Sequence, residues 1–173
     1  HDGGCPCSLC WGHTAGLQKY RPGAMSLCAP NGNSYRRISR YSSAPINVHW
    51  GDDNRTAGLR VPMSGPEARR VENRVGGADA NPYLAIAASL ACGYLGMTEK
   101  LKPSEPIGGS AYDLAIALPR TLAESLRLLR ESRPRVDLFG HRCVLPFTPA
   151  KEAESETFSR VSCSLDRQNS LRT

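Results

Sequence analysis

The chain has 173 residues, with 22 Lys+Arg against 16 Asp+Glu and a net charge of +6. Its 40% hydrophobic and 22% charged residues sit near the globular average, which excludes global disorder, and the length suits one domain or a piece of a larger one. A charge this modest, without Lys/Arg blocks interleaved with aromatics, does not predict a nucleic-acid binder, although it admits anionic ligands.

Residues 1–13 are rich in Gly and Cys and show neither a helical nor a strand period. Cys5, Cys7 and Cys10, with His1 and His13, are zinc-ligand types, but no distant second pair closes a site, so they read as incidental thiols. Seven cysteines are an odd number, which rules out a fully paired secreted framework. Several lie in apolar surroundings, and no basic segment followed by an apolar one opens the sequence, so a cytoplasmic location is expected. Leu17, Tyr20 and Met25 mark a helical stretch that Pro22-Gly23 interrupts, and Ala29 to Asn33 is turn chemistry.

Three short strands are predicted, over Ile46–Trp50, Ala57–Val61 and Arg69–Val75. Asn81-Pro82 then opens a helix, because Asn accepts the first free amides and Pro loses no needed donor. The uncharged run from Asn81 to Thr98 contains Pro82, Ser89, Gly93 and Gly96 and is not a membrane span. Its apolar residues fall on two stripes, one through Leu84, Ala88, Ala91 and Leu95, the other through Tyr83, Ile86, Leu90 and Tyr94. That predicts a helix buried nearly all round, with Ala and Gly admitting a close neighbour. A loop over Lys102–Ser110, an amphipathic helix carrying Leu122, Leu126, Leu128 and Leu129, and a last helix over Ala150–Val161 with Ala153 and Phe158 inward complete the reading.

The most informative segment is Arg69-Arg70-Val71-Glu72-Asn73-Arg74-Val75. A two-residue period puts Arg70, Glu72 and Arg74 on one face, with Val71 and Val75 toward the core. Arg55 and Arg60 fall on the adjacent strand candidate and its approach. Guanidiniums around one carboxylate suit phosphate in forked geometry with the carboxylate on a divalent metal, as in phosphoryl transfer. A solvated face with cross-strand ion pairs is the plainer alternative.

The strings Asn33-Ser-Tyr-Arg-Arg37, Asn54-Arg-Thr with Arg60-Val-Pro62, Arg69-Arg-Val-Glu-Asn-Arg74 and Ala80-Asn-Pro-Tyr-Leu-Ala85 occur together and in order, over most of residues 15–132. This resembles the carboxyl half of a glutamine synthetase-family catalytic domain, and within the family the γ-glutamylpolyamine synthetase (glutamate–putrescine ligase) branch. The resemblance implies an α+β fold, a partial catalytic domain with helices on an antiparallel sheet, over residues 15–161. Residues 1–14 form a non-family, irregular start and 162–173 a divergent tail, both with the look of out-of-frame or degenerate sequence.

The resemblance further implies that Arg37 and Arg74 bind glutamate, that Arg55, Arg60 and Arg70 hold ATP phosphates with Arg55 catalytic, and that Glu72 holds Mg2+ or Mn2+. The implied reaction converts glutamate to γ-glutamyl phosphate with ATP and then transfers it to an amine, either a polyamine such as putrescine or ammonia. Family members form ring-shaped homo-oligomers. Ser43 stands where ammonia-using members carry a glutamate thought to deprotonate ammonium, which favours a larger amine. Glu67 stands where some members have a lysine, and Asp52, Gly32 and Gly76 are unusual, the glycines costing backbone entropy and loosening packing. The family's other metal carboxylates and its adenine pocket are expected outside this stretch, so the chain is expected to be inactive alone. A non-catalytic remnant or interaction protein, and an ammonia-using synthetase, are the contrasting readings.

Overall fold

The structure, a computed structural model, describes residues 8–160, apart from the side chains of residues 66, 135, 136 and 141–143. Cys5, Cys7, His1 and the 162–173 tail lie outside the described residues. The first helix, α1, spans Ser8–Tyr20. It begins within the stretch read as irregular and runs straight across position 14, so no structural break separates residues 8–14 from the second half of the helix. The reason for the difference is local. The buried side of α1 includes Gly12, Thr14, Ala15 and Gly16, so it carries little hydrophobic period, and packing rather than patterning holds the helix. Pro22 ends it as expected and starts a 3-10 segment, Pro22–Leu27.

A second 3-10 segment, Gly32–Arg37, comes after the Asn31 turn. The three strands come next, each shorter than predicted: β1 (Trp50–Asp52), β2 (Leu59–Val61) and β3 (Glu72–Asn73). Residues 46–49 are not strand, although the His49 carbonyl accepts the Leu59 amide at 3.0 Å. Leu59 and Val61 are buried and Arg60 faces outward, as the alternation predicts. The sheet is mixed rather than antiparallel: β1 pairs β2 in parallel and β2 pairs β3 antiparallel. Such short strands let residues 53–58 carry the chain back, with Asp53 in the left-handed region (φ 47°) at the turn.

Helix α2 spans Pro82–Thr98, and the Asn81 side chain accepts hydrogen bonds from the Tyr83 and Leu84 amides, as its sequence predicts. Its environment differs from the expectation. Ala88, Ala91, Cys92, Gly93 and Gly96 are buried, but Tyr83 (83%), Ile86 (60%), Leu90 (61%) and Tyr94 (53%) are exposed. The small-residue face is the most deeply covered, because α1 lies along it, and Leu84 and Leu95 are partly buried against the core. A Cβ on Gly96 would stand 2.2 Å from the Gly12 carbonyl oxygen and 2.4 Å from the Gly16 Cα.

Helices α3 (Leu122–Glu131), α4 (Arg133–Phe139) and α5 (His141–Ser159) close the fold. Thr121 caps α3 by accepting the Glu124 amide at 3.1 Å, and Leu122, Leu126 and Leu129 point inward. α5 starts upstream of the predicted helix and passes through Pro146 and Pro149. Ala153 and Phe158, expected inside, are exposed. Two apolar clusters form the core, one around Leu17, Leu27, Trp50, Leu59 and Cys92, the other around Met25, Ile46, Val75 and Leu126. Cys92 is thus a core residue, as its apolar helix predicts. The α+β class holds, and among the described residues no helix is long and apolar enough to cross a membrane.

Gly32 and Gly76 have open space where a Cβ would go, and neither has a positive φ. They do not loosen a packed interior. Gly32→Ala and Gly76→Ala should each raise stability by about 0.5 kcal/mol, through lower entropy of the unfolded chain. The check is a higher urea midpoint at unchanged m.

His13 lies against Gly93 of α2, where burial lowers its pKa below the ordinary 6.5. The unfolded chain therefore takes up a proton below pH 6.5 that the folded chain refuses. Stability is expected to fall as pH drops from about 6.5 toward 5, a window above that in which the depressed carboxylates Glu72, Asp79 and Glu99 protonate. Thermal melts across this range should show the slope, and His13→Asn should flatten it.

Candidate functional site

The register of the sheet builds the site. Arg60 of β2 is directly opposite Glu72 of β3, so their side chains share a face and meet across the strands. Arg60 Nη1 donates to Glu72 Oε2 at 2.8 Å. Arg70 lies two residues before Glu72, hence on the same face, and forks onto Oε1 with Nε at 3.1 Å and Nη2 at 2.9 Å. Both Glu72 oxygens are therefore occupied by guanidinium groups. The bond from Arg60, aided by that from Arg70, holds the Glu72 carboxyl below its ordinary pKa.

Asp53, which the sequence reading did not single out, takes the other side of Arg60, with Nε at 3.0 Å from Oδ1 and Nη2 also bonded to it. The result is a chain of alternating charge: Asp53, Arg60, Glu72, Arg70. Arg74 is adjacent but does a different job. Its Nη1 donates to the backbone carbonyls of Arg55 and of Ala57 (3.1 Å), and its Nη2 to that of Ser43 (3.3 Å). It ties the loop holding Ser43 to the approach to β2. Ser43 itself is exposed, with φ 64°. The Arg55 side chain is exposed, and no hydrogen bond or ion pair from it to a described residue is formed.

Arg37 stands apart from the cluster. It donates through Nη2 to the Val75 carbonyl, one residue past Arg74, and its Nε is buried without a partner among the described residues. Burial lowers its pKa, and nearby Asp79 opposes that. Asp79, also missed, accepts from Ser34 at 2.5 Å and Asn31 at 3.0 Å. Burial works against its charge, but these bonds keep its pKa low. The Asp-Asn-Arg turn before β2 was a signal for Asp53. Nothing local pairs Asp79 with residues 45 and 48 positions earlier.

The predicted face thus gathers Arg60, Arg70 and Glu72, while Arg74 binds the backbone carbonyl of Arg55 and Arg37 that of Val75 instead of joining the cluster. The face is open. A cavity of about 870 Å3, lined by Trp11, Trp50, Met97 and Leu101 among others, includes none of these six residues. Glu72 is a carboxylate of the kind a divalent ion takes, but by itself it does not complete a cation site. No group of three or more His, Cys, Asp or Glu side chains that could hold a metal exists among the described residues, and Glu72 is fully engaged. A divalent ion requires several oxygens. As an anion site it fits better, offering forked donors that charged oxygens match.

A family model for the glutamine synthetase catalytic domain matches residues 6–169. The chain is 45% identical over 130 residues to a glutamate–isopropylamine ligase of Pseudomonas sp., covering 73% of the chain and 28% of that protein. It is 41% identical over 133 residues to the γ-glutamylethanolamide synthetase GlnA4 of Streptomyces coelicolor, covering 76% and 29%. Among solved structures, GmaS without ligand aligns with a TM-score of 0.82 at 26% identity, over 96% of this chain and 39% of that one. The chain spans under a third of the length of these two curated relatives. The match to the family model takes in α1 from its first turn and every strand of the arginine face. The chain belongs to the glutamine synthetase family, as part of the catalytic domain.

Proposed function

We propose that this chain supplies part of the active site of an ATP-dependent glutamate–amine ligase that γ-glutamylates a polyamine. The observation that carries the reading is the cross-strand cluster of Arg60, Glu72 and Arg70, with the exposed Arg55, whose backbone carbonyl Arg74 holds, on the approach to β2. In the first step a glutamate γ-carboxylate oxygen attacks the terminal phosphorus of ATP and ADP leaves. In the second the amine nitrogen attacks the acyl carbon, phosphate leaves and the nitrogen loses a proton. Arg60 and Arg70 would grip phosphate oxygens, and Arg55, free to move, would track the transferred group and neutralise its charge. Arg74 and Arg37 would meet the glutamate, Arg74 through the donors its loop carbonyls leave spare. Glu72 would hold the divalent ion together with carboxylates from the rest of the complete site, and that ion would help to neutralise the phosphate charge.

The amine assignment is supported by Ser43, a poor base for ammonium, and by the two relatives whose names carry isopropylamine and ethanolamide. A ring-shaped assembly and a cytoplasmic location belong to the same proposal. The test is phosphate release dependent on ATP, glutamate and an amine. It compares putrescine, ethanolamine, isopropylamine and ammonia, with the chain alone and mixed with a polypeptide carrying the remainder of a family catalytic domain. Turnover is expected only in the mixture, fastest with putrescine, and reduced about 100-fold or more by Arg55→Ala. Turnover by the chain alone overturns the partial-site reading, a preference for ammonia overturns the polyamine reading, and indifference to Arg55→Ala removes it from catalysis.

A further inference from the structure

The phosphate reading above requires Arg60 and Glu72 to stay opposite one another, yet β3 is only Glu72–Asn73, paired with Arg60 and Leu59 of β2. So short a strand specifies its register weakly, and a slip of one residue would turn Glu72 to the back of the sheet. We infer that Ser89 of α2 prevents that slip: its hydroxyl latches Asn73 from behind, which makes Ser89 and Asn73 positioning residues for the arginine face. The inference rests on the phosphate reading for its consequence, and on the geometry behind β3 for the latch itself.

Successive residues of a strand point to opposite faces, so Asn73 points backward when Glu72 points forward. There its Nδ2 donates to Ser89 Oγ at 3.0 Å, while its Oδ1 accepts the Val75 amide at 3.2 Å. Ser89 Oγ donates to the Ala85 carbonyl at 3.0 Å and accepts a second bond from Arg21 Nη1 at 3.3 Å. A hydroxyl has one proton and two lone pairs, so this one is fully engaged and held from three directions. It joins the end of α1, the buried side of α2 and the back of β3. Arg21 is the unusual member. It is 1% exposed, its Nε has no partner, and no carboxylate among the described residues pairs with it. Its cover is made by this chain's own residues and does not depend on further polypeptide. Burying a guanidinium without an acid costs stability, and the best-attested role of such buried polar groups is fixing a register. An alanine at position 89 would leave two donors, Arg21 Nη1 and Asn73 Nδ2, without their acceptor, and β3 without its tie to α2.

The experiment is amide hydrogen exchange by NMR on the unaltered chain and on Ser89→Ala. The Arg74 amide, bonded to the Gly58 carbonyl at 2.9 Å, reports how β3 sits on β2. The Leu59 amide, bonded to the His49 carbonyl at 3.0 Å, reports the β1 side and serves as the control. Ser89→Ala is expected to speed exchange at Arg74 about tenfold, the worth of one hydrogen bond, and to leave Leu59 within about twofold. Unchanged exchange at Arg74 overturns the inference, and so does an equal rise at both amides, which marks a general loss of stability. An Arg74 amide that already exchanges freely in the unaltered chain overturns it too. If Ser89→Ala does not fold, as judged by circular dichroism, Asn73→Ala is read in the same way, since it leaves the Arg21–Ser89 bond intact. If that variant also fails to fold, the latch is a determinant of the fold and the inference falls. Calorimetric titration with inorganic tripolyphosphate tests the consequence, with affinity expected to fall about fivefold in Ser89→Ala. Equal affinity despite faster exchange at Arg74 overturns the positioning role. No binding by the unaltered chain removes the phosphate reading, and the exchange at Arg74 then decides the latch alone.

Discussion

Gly96→Ala is expected to destabilise the chain by about 3 kcal/mol, the upper part of the range for overpacking a close contact. In an isolated helix the same change would be favourable by about 1 kcal/mol, since Gly is the poorer helix former. The structure reverses the sign. A Cβ at position 96 would lie 2.2 Å from the Gly12 carbonyl oxygen, 2.4 Å from the Gly16 Cα and 2.5 Å from its nitrogen, all backbone atoms that cannot rotate away. α1 and α2 touch here through glycine on both sides, for a Cβ on Gly16 would in turn stand 2.2 Å from the Cys92 carbonyl oxygen. To admit the methyl group the helices must separate, which opens the core that Leu17 and Cys92 share. Urea unfolding measures the loss, with Gly108→Ala, where nothing lies within 4 Å, as the control. A Gly96→Ala chain as stable as its parent would mean that α1 does not dock on α2.

Arg74→Ala is expected to cost about 2 kcal/mol, because a charged donor is withdrawn from three carbonyls at once. Part of the cluster is exposed, so water replaces some of what is lost and the figure stays below the sum of three buried bonds. Arg74→Lys should recover less than half, since a single ammonium cannot fork between Ala57, Arg55 and Ser43. Limited proteolysis distinguishes this from a general loss of stability. Cleavage should rise between residues 41 and 58, the two loops that Arg74 joins, before the melting temperature of the whole changes in proportion. Those loops carry Ser43 and Arg55, so the same variant should loosen the free arginine of the site without touching it directly.

Much of the site was legible because strand geometry is simple. Once Arg70, Glu72 and Arg74 are placed on one face by a two-residue period, and Arg60 on the outward face of its neighbour, only the register is missing, and the structure pairs Arg60 with Glu72. Period alone did not say what each guanidinium would grip. Arg74, on the predicted face, spends its donors on backbone carbonyls, and Arg37 donates to the Val75 carbonyl rather than to the cluster. The direction of β1 was equally hidden. Three strand candidates joined by short links suggest hairpins, yet a turn through Asp53 at φ 47° brings β2 back parallel to β1. Buried Arg21, whose Nη1 reaches Ser89 at 3.3 Å, left no trace in its own neighbourhood.

The sequence by itself determined whatever is decided within about four residues along the chain: the Asn81-Pro82 start of α2, the break at Pro22, the leucine face of α3 and the alternation around Arg60 and Glu72. Capping bonds and side-chain periods are local, so they can be read before anything packs. Only the tertiary structure decided that a glycine-faced segment would be a helix, that the Tyr83, Ile86, Leu90 and Tyr94 stripe of α2 would stay exposed, and that Asp53 and Asp79 would anchor the arginines and turns around them. Those outcomes depend mostly on groups brought together from far along the chain, 45 residues apart for Asp79 and Ser34 and about 80 for the α1–α2 crossing. A glycine reveals nothing of its neighbour until the neighbour's backbone is in place.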